Sequence, residues 1–368
     1  MTYITLLHTI LTILTIFSFN MAYKLSMSSI SSISKEFMSP FGCKIDDWTN
    51  WSLASRFWKS IMNTPPDRLP NYIKGDKLYG LSDMKAANEA CQRGEMRSKN
   101  SYFDHKKTYA ITFGYDGTKF NGYQSQRNND STWAVEDSLK RAFKGHHLTV
   151  AGRTDRGVNA ISQIVSFVSS VDNIDILAMS NFSVDPSVIT GDISIYNIYR
   201  VPRKFNARAT ATWRRYLYIV TLNRPYDVDI HFTSNVLLKL QGKELPYNAF
   251  AYNEDRTTGE GMQDLCTLYK CHTYLTDLSN PLYEGHDIHT TPVSAHILDN
   301  LITPALCIEL VGTRFLRQMV RRLVSTAIRE ALLTNIDKRN VNILPDLCHA
   351  GNRYLRAYTY ILLLQHIC

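Results

Sequence analysis

The chain has 368 residues, of which 44% are hydrophobic and 20% are charged. These fractions lie near globular averages and exclude both a wholly disordered chain and a polytopic membrane protein. The 41 Lys and Arg residues outnumber the 33 Asp and Glu residues, and the resulting net charge of +8 is compatible with a polyanionic partner. The seven cysteines are scattered without C-x-x-C spacing, which argues against a disulfide framework and against a zinc ribbon.

The first 40 residues have the composition of a leader. Residues 1–23 contain no charged residue, and the apolar run Ile4–Phe19 has the length of a signal-peptide core rather than of a membrane span. A Ser-rich, acid-poor stretch follows, as in organelle transit segments. We therefore predict a leader over 1–40 that directs the protein to a plastid-like or mitochondrial organelle. A misassigned start codon, which would leave the protein in the cytoplasm, and an uncleaved anchor helix remain open alternatives.

Residues 41–105 read as a poorly specified extension and linker. WSLASRFWKSIM has helical character, and Pro-bearing and polar runs follow it. No chemistry is visible in this part of the sequence. We predict one catalytic region over 106–368, with an insertion at about 276–304.

From Thr108 onward, the sequence predicts strands and helices in a definite order. TYAITFGYDG alternates and ends in a turn, and STWAVEDSLKRAFK places Val135, Leu139 and Ala142 on one helical stripe. LTVA, QIVSFV, DISIYNIYRV and RRYLYIVTL follow as strand candidates, and the run that begins at Arg314, RFLRQMVRRLVSTAIREALL, has the periodicity of an amphipathic helix. Such a mixture without regular βαβ alternation indicates an α+β fold with a largely antiparallel sheet.

Two groups of Cys and His residues could suggest metal binding. Cys266 and Cys271 lie in the predicted strand CTLYKCHTY, where parity places them on opposite faces, and we interpret them as small apolar side chains. The insertion contains His286, His289 and His296 without a Cys or a clear carboxylate set, so a surface loop is favoured. We predict no metal site.

The densest polar cluster is GRTDRGVNA, which runs from Gly152 to Ala160 in a predicted loop. Asp155 is flanked by Arg153 and Arg156, and a nearby cation holds a carboxylate in its ionised form. A fixed carboxylate can act as a nucleophile or as a base. From spacing alone, a surface turn with a salt bridge is the favoured interpretation.

Two further clusters are basic. The segment 203–218 interleaves aromatic rings with five cations and contains no acid; the cations are Arg203, Lys204, Arg208, Arg214 and Arg215. This composition suits an RNA-binding surface. A solvated strand face with the aromatic rings in the core explains it equally well. Tyr216 and Tyr218 share strand parity within it. Arg314, Arg317 and Arg321 line one edge of the predicted last helix, where each would pair with a carboxylate or extend to solvent.

Taken in order, these segments resemble the tRNA pseudouridine synthase A family. FGYDGTKFNGYQSQ is similar to the first strand and loop of that family, and GRTDRGVNA to its catalytic loop. KFNARATATWRRYLYIV is similar to its second motif and VGTRFLRQMVRRLV to its last. The resemblance spans about residues 108–335. Tyr123 stands where Trp is commoner in the family, and Asn159 where His is commoner.

The resemblance implies a fold of two related α+β halves around a basic cleft. It implies a homodimer that isomerises uridines in the anticodon stem-loop of tRNA without cofactor or metal. Independently of the resemblance, we expect no stable membrane partner if the leader is cleaved. A catalytically silent RNA-binding or tRNA-folding protein with the same cleft is the alternative, which loss of Asp155 or Tyr216 would have indicated.

The resemblance also implies roles for individual residues. Asp155 would initiate the isomerisation, Arg153 would help to flip the target nucleotide, and Tyr216 would pack on the target base. Arg321 would pair with the aspartate. The expected RNA contacts are Arg156, Arg208, Arg214, Arg215 and Arg317.

Overall fold

The computed structural model describes residues 51–74, 106–125, 133–143, 147–170, 191–222, 228–251, 265–333, 337, 339–350 and 366–367. The predicted leader at 1–40 lies outside these ranges, so it stays a prediction. The chain from Trp51 onward forms one compact unit. None of the helices in these ranges combines the length and the apolar composition that a bilayer span requires.

The helices and strands follow one another along the whole described chain. The helices are α1 (Trp51–Asn63), α2 (Asn71–Lys74), α3 (Val135–Ala142), α4 (Ala207–Thr210), α5 (Ile230–Leu238), α6 (Ala295–Asp299), α7 (Met319–Ala331) and α8 (Ile343–Ala350). The strands are β1 (Lys107–Tyr115), β2 (Thr149–Val150), β3 (Ala160–Ser169), β4 (Ile193–Val201), β5 (Arg214–Thr221), β6 (Glu244–Pro246), β7 (Leu265–Asp277), β8 (His286–Asp287), β9 (Pro304–Gly312) and β10 (His366–Ile367). Short 3-10 helices lie at Pro66–Arg68, Gly117–Lys119 and Asn248–Phe250.

The strands form two antiparallel sheets, one in each half of the chain. The first sheet has the order β2-β3-β1-β4, and its core includes the apolar stripe of α3 that the sequence predicts. The second sheet has the order β10-β5-β9-β7-β6, with β8 paired to β7. Helix α5 packs on β7 and α7, and α8 packs on α7 and β6. The α+β class with antiparallel pairing is therefore confirmed.

The last long helix begins later than its periodicity predicts. It starts at Met319, five residues beyond Arg314, because Gln318 has φ of 62° and interrupts the helical backbone. Arg314 and Arg317 consequently lie in the connection that follows β9. The predicted edge of three arginines on one helix is wrong, and only Arg321 belongs to α7.

Residues 51–74 cover one face of the second sheet. This cap (α1, the 3-10 helix Pro66–Arg68 and α2) shares a core with β5 and β9; its members are Phe57, Trp58, Ile61, Leu69, Tyr72 and Ile73, packed on Leu217, Ile219, Leu278, Ala305 and Cys307. Full burial of one large apolar side chain contributes about 1.5–3 kcal/mol. Part of the segment that the sequence leaves poorly specified is thus well packed, while the division at residues 40 and 105 stays a prediction.

The cap also contacts the connection between β7 and β9. The Tyr72 hydroxyl and the Thr276 hydroxyl lie 2.7 Å apart in a buried hydrogen bond. A Cβ atom added at Gly285 would lie 2.7 Å from the Tyr72 ring, so the backbone approaches that ring closely. The N–H of Asn71 donates to a carboxylate oxygen of Glu284 at 3.3 Å. The predicted extension and the predicted insertion therefore pack against each other.

A buried carboxylate ties the cap to the sheet. Glu309 on β9 is 1% exposed and accepts hydrogen bonds from Arg215 and from the Tyr274 hydroxyl, with Lys270 Nζ 3.1 Å from its second oxygen. Arg215 also donates to the carbonyls of Tyr72 and Ile73. Burial would raise the pKa of Glu309, but the charges of Arg215 and Lys270 outweigh it and the pKa is lowered. Glu309 is therefore the anion that neutralises two cations under the cap.

We predict that Glu309→Gln lowers the free energy of unfolding by about 3–5 kcal/mol near neutral pH, because two partly buried cations lose their counter-ion. The Glu309 pKa is depressed in the folded state, so its contribution is present above the unfolded value of about 4.3 and is lost as pH falls through the folded value. The difference between wild type and variant should therefore shrink in acid. Urea unfolding at a series of pH values measures it.

Glu244→Gln is the matched control, because this carboxylate on β6 is exposed. Its effect should stay within about 0.5 kcal/mol at every pH. Equal effects of the two substitutions would contradict the buried network as a source of stability.

Candidate active site

The GRTDRGVNA segment forms the loop that joins β2 to β3. A turn closes where the N–H of Val158 donates to the carbonyl of Asp155 at 3.2 Å, and Gly157 within it has φ of 78°. Glycine adopts that left-handed conformation without a steric penalty. Asp155 is half-buried, while Arg153 and Arg156 are exposed. The turn thus presents one carboxylate between two solvent-facing cations.

The Asp155 carboxylate is not engaged by the rest of the described chain. Among the described residues it has neither a hydrogen bond nor an ion pair. The surface turn with a salt bridge, favoured from spacing alone, is therefore not what these residues form. The predicted pairing of Asp155 with Arg321 is also not seen there.

The segment FGYDGTKFNGYQSQ forms hydrogen bonds with this loop. The Tyr115 hydroxyl hydrogen bonds with the Thr154 hydroxyl at 2.7 Å, and the N–H of Tyr123 donates to the Thr154 carbonyl at 3.1 Å. The N–H of Gly117 donates to the side-chain oxygen of Asn159 at 2.7 Å. The backbone on either side of Asp155 is therefore held by buried partners, which fixes the position of the loop.

The two departures from the family pattern both lie inside the protein. Tyr123 is 2% exposed, and burial raises the pKa of its hydroxyl. Asn159 is fully buried and accepts the hydrogen bond from Gly117. Neither side chain faces solvent, and the Asn159 side chain helps to hold the loop through this hydrogen bond.

Tyr216 lies on β5 in a half-buried position. Its ring packs edge-on against Phe315 with the ring centroids 4.7 Å apart, and Phe315 belongs to the connection between β9 and α7. Tyr218, on the same face of β5 by parity, is buried; burial raises its pKa and the nearby charge of Arg321 opposes that rise. Arg321 is thus placed beside the strand that carries Tyr216.

Arg214 and Arg215, both expected to contact RNA, are bonded within the protein. Arg214 donates to the carbonyls of Ala151, Arg208 and Thr313. Arg215 lies on the opposite face of β5, in the Glu309 network under the cap. These placements do not support RNA contacts for either residue.

The remaining candidate cations face outward. Arg208 on α4 is exposed, and Asn206 caps that helix by accepting hydrogen bonds from the N–H groups of Arg208 and Ala209. Arg317 is exposed in the connection before α7. With Arg153 and Arg156, these side chains give four exposed cations from three of the motifs.

The histidines of the predicted insertion have ordinary partners. His289 lies 3.0 Å from the Ser234 hydroxyl, and His286 lies 3.2 Å from the Thr291 carbonyl. His296 on α6 contacts Asn300, the residue that follows this helix. Within the described ranges, no three His, Cys, Asp or Glu side chains have the arrangement of a metal site.

Comparison with known proteins extends the similarity well beyond the motifs. The chain is 31% identical over 228 residues to a tRNA pseudouridine synthase A of Thermosipho melanesiensis, covering 61% of this chain and 85% of that protein. It is 28% identical over 240 residues to the protein of the same name from Thermosipho africanus, with the same shares covered. The corresponding Lacticaseibacillus casei protein is 29% identical over 225 residues, covering 60% of this chain and 83% of its own length. No family model matches the chain.

The contact between the first motif and the Asp155 loop gives a stability prediction. A Cβ at Gly117 would lie 1.9 Å from the Val158 carbonyl oxygen, so Gly117→Ala must displace backbone. We expect a loss of about 1–3 kcal/mol, as for overpacked cores. Gly152→Ala is the control, because its Cβ would meet Arg214 at an ordinary 3.8 Å. Urea unfolding compares the two, and equal midpoints would contradict the tight packing of this loop.

Proposed function

Since the chain belongs to the tRNA pseudouridine synthase A family, we propose that Asp155 initiates the isomerisation of uridine to pseudouridine in the anticodon stem-loop region of tRNA. The chain is an isomerase that acts on tRNA, in keeping with its relatives. The observation that carries the role of Asp155 is its half-buried, unengaged carboxylate on a loop whose backbone is held by buried partners.

The chemistry asks for one ionised carboxylate in a fixed place. The N1–C1′ bond of uridine breaks, the uracil turns, and C5 bonds to C1′, while the proton on C5 leaves and N1 gains one. No atom is lost and the reaction involves no net oxidation or reduction. Addition of a carboxylate to C1′, addition to C6 and removal of the C2′ proton each require its anionic form.

The target nucleotide must leave the helical stack before this chemistry begins. Extrusion costs a few kcal/mol, which contacts with the flipped base offset. In our proposal the exposed Arg153 occupies the gap in the stack, and the ring of Tyr216, braced by Phe315, packs on the uracil. Arg321 pairs with the Asp155 carboxylate once RNA is bound.

The exposed cations supply the affinity for RNA. Arg156, Arg208 and Arg317 are exposed on three separate segments of the chain, which supports a role for them in contacts with phosphates. Phosphate contacts orient a nucleic acid without reading its sequence. The choice of the anticodon arm therefore rests on the shape of the tRNA in this proposal.

The family resemblance also supports a homodimer. Sedimentation of the full chain at increasing concentration tests this part of the proposal, and a monomer at all concentrations would remove it without affecting the chemistry of Asp155.

The composition of residues 1–40 supports entry into an organelle. A fluorescent protein fused behind residues 1–40 tests targeting, and the same fusion without that segment is the control. Diffuse cytoplasmic fluorescence of the first fusion would contradict this part of the proposal.

We predict that Asp155→Asn abolishes turnover and leaves tRNA binding unchanged, because the amide keeps the shape of the side chain but is neither a nucleophile nor a base. Release of tritium from tRNA labelled at C5 of uridine measures turnover. Asp67→Asn, an exposed substitution on the cap, is the control with wild-type activity expected. Retained turnover in Asp155→Asn would remove the central assignment.

Mapping of pseudouridine in cellular RNA with and without the gene tests the position of the target uridine. We expect loss of modification in the anticodon arm of tRNA. If the wild-type protein binds tRNA but no position changes, the silent RNA-binding alternative is favoured.

The outward-facing Arg317 gives a separate prediction. Loss of one contact between a cationic side chain and a phosphate lowers the magnitude of the slope of log affinity against log salt by roughly 0.7–0.9. We expect Arg317→Ala to lower the slope for tRNA binding by this amount. Lys59→Ala, an exposed change on the cap, should leave the slope unchanged. Filter binding at several salt concentrations provides the measurement, and an unchanged slope for Arg317→Ala would exclude a phosphate contact at that side chain.

A further inference from the structure

Arg214 makes an unusual set of bonds for a residue of a basic RNA-binding segment. Its Nε and Nη2 atoms donate to the Ala151 carbonyl at 3.1 and 2.9 Å. Nη1 donates to the Thr313 carbonyl at 3.0 Å, and Nη2 also donates to the Arg208 carbonyl at 3.2 Å. A guanidinium has five N–H donors, so these four bonds leave one N–H for any other partner.

The three acceptors lie within or directly beside three different motifs. Ala151 directly precedes the loop that carries Asp155, and it follows β2 of the first sheet. Arg208 lies on α4, ahead of β5, and Thr313 directly follows β9 of the second sheet. Arg214 itself is the first residue of β5 and pairs with Gly312. One side chain therefore links the Asp155 loop of the first sheet to the strand of the second sheet that carries Tyr216.

The chemistry of this link requires an arginine. The planar fork of the guanidinium can reach carbonyls in several directions at once, whereas the ammonium group of a lysine is a compact point charge. The side chain is half-buried, and burial lowers its pKa while the positive charge is retained. Its hydrogen-bond partners are all backbone carbonyls. Backbone acceptors at these positions bind the guanidinium whatever side chains the acceptor residues carry.

We propose that Arg214 is a positioning residue, which fixes the Asp155 loop at the correct distance from Tyr216 by binding the Ala151, Arg208 and Thr313 carbonyls. The inference rests on the proposed function, because it concerns the geometry of the same site. Arg214 does not bind phosphate in this scheme. It acts on the reaction through the loop and the strand that it joins.

Positioning and phosphate binding predict different kinetics. A catalytic group displaced by about 1 Å costs on the order of 100-fold in rate. We therefore expect Arg214→Ala to lower the single-turnover rate by about 100-fold, with tRNA affinity and its salt slope unchanged. A phosphate-binding arginine would instead weaken tRNA binding and lower the slope by roughly 0.7–0.9.

Chemical rescue separates positioning from a general loss of structure. Methylguanidinium added to Arg214→Ala should restore part of the single-turnover rate, because it can occupy the space left by the side chain and bind the same carbonyls. Tetramethylammonium at equal concentration controls for ionic strength. Arg68→Ala, an exposed change on the cap, controls for effects of methylguanidinium elsewhere and should keep the wild-type rate in its absence.

Arg214→Lys keeps the experiment interpretable if the alanine variant does not fold. It retains the charge but cannot reproduce the fork, so we expect a folded protein with the same loss of rate. A wild-type rate in either folded variant would overturn the positioning role, as would a loss of tRNA affinity without a loss of rate at saturating tRNA. An inactive wild-type protein would instead overturn the proposed function, so the two failures are distinguishable.

Discussion

The hydrogen bonds from Arg214 to three backbone carbonyls are the constraint on which the site depends. The Asp155 loop belongs to the first sheet and Tyr216 to the second, so neither sheet alone determines the distance between them. Arg214 joins the two at Ala151 and Thr313. The loop is also held inside its own half by Thr154 and Asn159. The Arg214 contacts add a polar link between the halves, beside the packing of Ile161 of β3 on the core that the cap shares with β5 and β9.

Strand β5 is anchored on both of its faces. Arg214 and Tyr216 point to one face, where they meet the carbonyl groups and Phe315. Arg215 points to the other, where Glu309 and the backbone of the cap receive its guanidinium. Because consecutive residues alternate across a strand, two adjacent arginines can hold the strand from opposite sides. Tyr216 therefore follows two residues of β5 whose side chains are bonded to the protein on opposite faces of the strand.

Much of this architecture is predictable from sequence patterns, and the failures have local causes. Alternation predicts β1, β3, β4 and β5, and helical spacing predicts the buried stripe of α3. Parity predicts that Cys266 and Cys271 lie on opposite faces of β7, and this prediction is wrong. The register of β7 shifts between Leu268 and Lys270, so both cysteines are buried and both lie near Tyr247. One extra residue in a bulge reverses parity, and nothing in the local sequence marks that residue.

The roles of the arginines were harder to predict for a different reason. A basic segment with interleaved rings suggests phosphates, since the side chains are visible in the sequence and backbone acceptors are not. Arg208 faces solvent as that composition suggests, whereas Arg214 and Arg215 bind carbonyls and Glu309. Charge counts therefore overestimate the RNA-binding surface of such a segment. Where a guanidinium already binds several carbonyls, its contribution to the geometry of the reacting groups becomes the quantity to measure.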